Sequence, residues 1–206
     1  MKSIIIAILL IAAFAVYYKL DSIVGYFSMS KTKTQGLVND TKIDKKMSLT
    51  GKKILIAFFS WGGNTKKISK FIHDEIGGDL YEITMKDKNH YPKDYNSTVE
   101  VGAKEIMDTI YPEIEDFPGD IKNYDIIILG YPIWWHTAPM AVQSFLKKYD
   151  FTGKTILPFA TSGGDDVSLT IESIKKHLHG AIVKDGLTAN IKSKIKPWLL
   201  KNKIFD

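Results

Sequence analysis

The stretch KKILIAFFSWGGNTKKI (residues 52–68) changes character twice. Ile54 to Phe59 is an unbroken apolar run, which reads as a short strand buried on both faces. Further on, Ile68, Phe71, Ile72 and Ile76 recur at helical spacing until Gly77-Gly78 stops the pattern. Ser60, Trp61, Gly62, Gly63, Asn64 and Thr65 therefore join the end of a buried strand to the start of a helix. Backbone N–H groups at such a junction form a concave nest where the helix dipole favours an anion. Ser60, Asn64 and Thr65 add neutral donors, which suits a phosphate in a chain whose basic residues are all Lys. Neither G-x-x-x-x-G-K-[ST] nor G-x-G-x-x-G is present. Taken alone, the hexapeptide also reads as a tight turn with a polar helix cap.

The same alternation repeats down the chain. A weaker strand near Leu80 to Ile83 is expected at a sheet edge. A Tyr- and Asn-rich connection follows, and then a capping box at Ser97-Thr98-Val99-Glu100. The helix it opens is expected to bury Val99, Ala103, Ile106, Met107 and Ile110. DIIILGYP (125–132) is the strongest strand; Pro139 suits the first turn of the next helix, with the stripe Val142, Phe145, Leu146 and Tyr149. KTILPFA (154–160) precedes a helix capped by Asp165 or Asp166 that faces Ile171, Ile174 and Leu178 inward. A fifth strand around Ala181 to Leu187 leads to a helix carrying Ile191, Ile195, Trp198 and Leu199, kinked or started late by Pro197. Five βα units with right-handed crossovers predict an α/β fold: a doubly wound, five-stranded parallel sheet in a three-layer α/β/α sandwich. Its ligand crevice lies at the carboxyl ends of the strands.

The chain of 206 residues has room for one such domain and a modest appendage. Residues 1–50 carry seven Lys against three acids, and residues 51–206 carry twenty-one against twenty. The domain is thus nearly neutral, and the basic pI does not argue for nucleic acid. With no cysteine, disulfides, thiol nucleophiles and Cys-ligated metals are excluded. His177 and His179 are two apart on a helix and do not share a face, so no metal site is expected. Residues 3–18 form a charge-free apolar segment, either a short membrane anchor or, with Ala13-Phe14-Ala15 as a cleavage site, an export signal. The expected organisation is a hydrophobic segment over 1–20, a basic flexible linker over 21–50 and a domain over 51–206. Membrane association is expected through residues 3–18; the side of the membrane stays open.

Two further loops fall at the same sheet edge as the first. YPIWWHT (131–137) sets Trp134 beside Trp135; adjacent residues of an extended segment point opposite ways, so one ring turns into the fold and the other is placed to stack a flat ligand. The alternative is that both rings are core. TSGGDD (161–166) brings Thr161, Ser162, Gly163 and Gly164, whose backbone can approach a ligand closely.

In this order, SWGGNT, GYPIWW with a following APM, and PFATSGG resemble the loops of a flavodoxin, over about three quarters of the chain. The resemblance implies strand order 2-1-3-4-5 and one FMN. Its phosphate would lie in Ser60, Trp61, Gly62, Gly63, Asn64 and Thr65. Its isoalloxazine would lie between Pro132, Ile133, Trp134, Trp135 and His136 on one side and Thr161, Ser162, Gly163 and Gly164 on the other. Two departures stand out. Gly62 replaces the middle hydroxyl of T-x-T-G-N-T, and the loop Pro132 to His136 has no Gly of the kind that lets a peptide flip beside the flavin during one-electron steps.

The first expectation is an FMN electron carrier, with no catalytic side chain and a redox partner protein. The second is an NAD(P)H-dependent reductase of quinone-like acceptors. The third is a cofactor-free interaction module on the same fold.

Overall fold

A computed structural model of the chain describes residues 51–204. The expected hydrophobic segment 1–20 and linker 21–50 lie outside the described residues. Among the described residues, no helix is long and apolar enough to cross a membrane.

β1 (Ile54–Phe58), β3 (Ile126–Pro132) and β4 (Thr155–Thr161) are the apolar runs singled out above. They pair in parallel with β1 in register with β3 (Ile54 against Ile126) and β3 with β4 (Ile126 against Thr155). β2 (Asp79–Glu82) pairs on the outer side of β1, giving the order β2-β1-β3-β4-β5 expected of a doubly wound sheet. Strand periodicity splits the core into two. Leu55, Ala57, Ile127, Leu129 and Ile156 face one side, under Ala141, Val142, Phe145 and Ile174. Ile54, Ile56, Ile126, Ile128, Leu157 and Phe159 face the other, under Ile68, Ile72, Ile195, Trp198 and Leu199. Each Ile, Leu or Phe among them stabilises the fold by about 1.5–3 kcal/mol when fully buried.

The helices are α1 (Asn64–Ile76), α2 (Tyr95–Met107), α3 (Met140–Lys148), α4 (Ile171–Lys175) and α5 (Ile195–Lys201). α1 ends at Gly77, whose φ of 74° only glycine adopts without strain and whose N–H bonds the His73 carbonyl at 2.7 Å. α3 begins right after Pro139. α5 starts late, with Pro197 inside its first turn where no intrahelical acceptor is lost. Ile191 consequently stays outside the helix and is 52% exposed, rather than packed with Ile195.

Three other expectations are corrected. α2 is capped by Asp94, which accepts from the Ser97 N–H at 2.8 Å, three residues before the proposed capping box. Its buried face is Thr98, Gly102 and Glu105, while Met107 is 80% exposed and Ile110 lies beyond the helix end. The helix leans on a large indole and a polar loop instead of on the sheet, which rotates its apolar stripe to the flank. Asp166 caps a single 3-10 turn, Val167–Thr170, that precedes a short α4.

The fifth strand is split into β5 (Ile182–Val183) and β6 (Leu187–Thr188), both parallel to β4. Ile182 N–H bonds the Lys154 carbonyl, Lys184 N–H that of Ile156, and Ala189 N–H that of Ala160. By strand alternation residue 158 faces the same side, and Pro158 has no N–H to donate there. The ladder breaks opposite Pro158, and Gly186 fills the gap; a side chain there would crowd Val167 at 3.0 Å and the Pro158 carbonyl at 3.3 Å.

Candidate functional site

The first loop turns from β1 into α1 through Gly63, the helix N-cap, at φ 83°. Gly63 has no side chain to cap the helix itself. Ser60 Oγ accepts the Lys66 N–H at 3.2 Å, which leaves the N–H groups of Asn64 and Thr65, first-turn donors with no intrahelical partner, at the mouth of the nest. Asn64 is exposed beside them, and Gly62 and Gly63 have open space where a Cβ would project. Thr65 has a different part: it is 1% exposed, and its hydroxyl bonds that of Thr161 at 2.8 Å. It ties the first loop to the third. Trp61 packs against the core rim and donates its indole N–H to the Pro92 carbonyl at 2.9 Å.

The second loop leaves β3 at Pro132, and Ile133 N–H still bonds the Thr161 carbonyl at 3.0 Å. Trp134 and Thr137 then exchange backbone bonds at 3.1 and 3.0 Å around Trp135 (φ 50°) and His136 (φ 59°). Positive φ at both central positions makes this a type I′ turn, ordinarily the province of Asn and Gly. Holding non-glycine residues there costs about 1–2 kcal/mol each, and persists where the surroundings over-determine it. The surroundings do. The Trp134 ring is turned inward, edge-on to Phe59 at 5.4 Å and to Tyr91 at 5.1 Å. Trp135 lies against α2 and donates its indole N–H to the Val99 carbonyl at 3.2 Å. His136 Nδ1 lies 2.8 Å from Asp165 on the third loop. The paired Trp thus part company, Trp134 into the fold and Trp135 against α2, but the tight turn and not the alternation of an extended segment separates them.

The third loop follows β4. Asn190 clamps Ser162, accepting its N–H at 3.0 Å and donating to its carbonyl at 2.6 Å. Ser162 Oγ accepts from Gly164 N–H at 3.1 Å. Gly163 and Gly164 are exposed, with nothing within 4 Å of an added Cβ. Asp166 accepts from Ser168 N–H at 3.0 Å and from the Thr188 hydroxyl at 2.7 Å. The Ser168 bond first, and then Thr188, hold its carboxyl down at about 2.

All three loops thus meet at the carboxyl ends of β1, β3 and β4. They form a glycine-lined cradle with backbone donors at one end and aromatic rings beside it, a donor set that fits a phosphorylated flavin. Sequence reasoning missed several residues that build it: Asn190, Asp165 as the partner of His136, and the trio His90, Tyr91 and Glu105 behind Trp134. The Tyr-rich connection before α2 was the available signal for Tyr91. A glutamate in mid-helix looks like any solvated one.

A family profile described as Flavodoxin matches residues 53–202. Among solved structures, a protein from Bacteroides eggerthii assigned as a flavoprotein is 33% identical; the match covers 73% of this chain and 97% of that one, with a TM-score of 0.65. A similarly assigned protein from Bacteroides uniformis is 30% identical over 73% of this chain and 99% of that one, with a TM-score of 0.65. A flavoprotein from Lactobacillus acidophilus, solved in complex with FMN, is 26% identical over 71% of this chain and 98% of that one, with a TM-score of 0.61. A comparison with curated proteins found no match.

Proposed function

The chain belongs to the flavodoxin family, and from that premise we propose that it binds one FMN in the cradle of residues 60–65, 132–136 and 161–164 and carries electrons to or from a partner protein. The observation that carries this reading is the convergence of the three loops, locked by Thr65 against Thr161 and by Ile133 against Thr161. The Lactobacillus relative, solved with FMN, supports the choice of cofactor. FMN supplies the redox chemistry; the chain binds it, orients it and tunes it. The N–H groups of Asn64 and Thr65, at the positive end of α1, are the phosphate's donors, with the Asn64 amide beside them. Trp135 and the open backbone at Gly163-Gly164 flank the ring.

One observation favours a second reading, an NAD(P)H-dependent two-electron reductase. The Trp135-His136 turn is pinned at both ends by the Trp134–Thr137 bonds and has no glycine, so it offers no easy peptide flip to accompany one-electron steps. Anaerobic mixing of the yellow protein with NADH and with NADPH separates the two. A carrier keeps its flavin colour until a partner enzyme is added; rapid bleaching by either nucleotide alone would assign the reductase.

A further inference from the structure

α2 buries polar groups where an amphipathic helix buries apolar ones. Thr98, Gly102 and Glu105 fall on one face at i, i+4 and i+7, and each meets the support of a flavin loop. Thr98 Oγ1 donates to the Pro92 carbonyl at 2.6 Å, the same carbonyl that receives Trp61 of the first loop. Gly102 lies under the indole of Trp134; a Cβ there would sit 3.2 Å from Cε3. Glu105, 3% exposed, holds two groups at once, with His90 Nε2 at 2.5 Å from one oxygen and the Tyr91 hydroxyl at 2.8 Å from the other. Tyr91 in turn stands edge-on to Trp134 at 5.1 Å and packs on Phe59 at 5.4 Å. One flank further round the helix, the Val99 carbonyl receives Trp135.

We propose that Glu105 is a positioning residue of the flavin site: through Tyr91 and His90 it fixes the segment 90–92 against α2, and so sets the attitude of Trp134 and the strained turn that follows it. The inference rests on the function proposed above. A carboxylate is the side chain suited to this task. It has one oxygen for each of two donors, it bonds each more strongly than a neutral acceptor would, and it leaves neither of these partly buried donors without a partner. The cost is its own desolvation; burial pushes the Glu105 carboxyl above the ordinary range although both hydrogen bonds pull the other way. Burial, and then the neighbouring Glu105, raise the Tyr91 phenol strongly, so Tyr91 is the donor. An apolar residue would serve better if α2 only had to pack. The polar unit defines one geometry for the ring it supports.

The test uses the full chain and three variants, Tyr91→Phe, Glu105→Leu and Glu105→Gln. Three readouts are taken: FMN dissociation constant, visible circular dichroism of the flavin at saturation, and unfolding midpoint without FMN. Tyr91→Phe and Glu105→Leu are expected to weaken FMN binding by tenfold or more and to change the dichroism of the flavin that still binds. Glu105→Gln, which keeps the shape and one acceptor, recovers binding to within about threefold of the parent, a fold-change set by the retained hydrogen bond. Lower unfolding midpoints with unchanged FMN affinity and unchanged dichroism would reduce the cluster to a packing element and overturn the proposal. If Glu105→Leu does not fold, Tyr91→Phe decides alone by the same two flavin readouts. A parent chain that takes up no FMN overturns both this proposal and the function beneath it, whereas a parent that binds alongside indifferent variants overturns this one only.

Discussion

Gly62 and Gly63 are neighbours with opposite requirements. Gly63 sits at φ 83°, where any side chain is strained. Gly62 is outside that region and faces open space. It is also where this loop lacks the hydroxyl of T-x-T-G-N-T. Gly62→Ser restores a donor to the nest without strain, and one net hydrogen bond of about 0.5–1.5 kcal/mol is expected to tighten FMN roughly two- to tenfold. A fluorescence-quenching titration measures this; unchanged or weaker binding would place the phosphate elsewhere. Single residues were legible in the sequence where their type is itself the signal. Glycines before a helix, hydroxyls beside them and two adjacent Trp announce a site without any knowledge of what lies across the fold. Thr65 shows the limit, since its hydroxyl is spent on Thr161, 96 positions away. Asn190 and Glu105 act only through such distant contacts, and nothing local marks them.

Asp166 links the third loop to the split fifth strand, capping the 3-10 turn through Ser168 and holding Thr188 of β6. Asp166→Ala removes the cap and is expected to cost about 1 kcal/mol near neutral pH, as N-cap losses do. The pH dependence has a definite sign. The folded carboxyl titrates at about 2, below its unfolded value near 4, so its contribution is complete above about pH 4 and is lost as pH falls toward 2. The gap between parent and variant in urea-unfolding midpoint should therefore narrow through that window; a gap that stays constant or widens on acidification contradicts the assignment. At this scale the apolar strands and α1 were readable because periodicity and glycine stops report them directly. The break in the fifth strand was not, because its cause lies in the neighbouring strand, where Pro158 withholds a donor. α2 misled for a related reason. Its apolar stripe is real, but the partner it leans on is Trp134 with the loop 90–92, and that partner sets which face is buried.

Topology does the assembling for the whole molecule. The order β2-β1-β3-β4-β5 brings the first and third loops, 96 positions apart from Thr65 to Thr161, to one edge of the sheet. In the proposed site the phosphate meets backbone donors, an amide and a helix terminus and no arginine, so one added charge is expected to be felt there. Asn64→Asp is a clean probe of it, because an acid in the first turn of α1 favours the helix while it repels the phosphate. The decisive measurement is an equilibrium titration of FMN into the FMN-stripped protein and into its Asn64→Asp variant. Saturable one-to-one binding that restores the yellow flavin spectrum is expected, weakened by about tenfold or more in the variant, roughly 1.4 kcal/mol. A protein that stays colourless with FMN in excess, or a variant that binds as tightly as its parent, would contradict it.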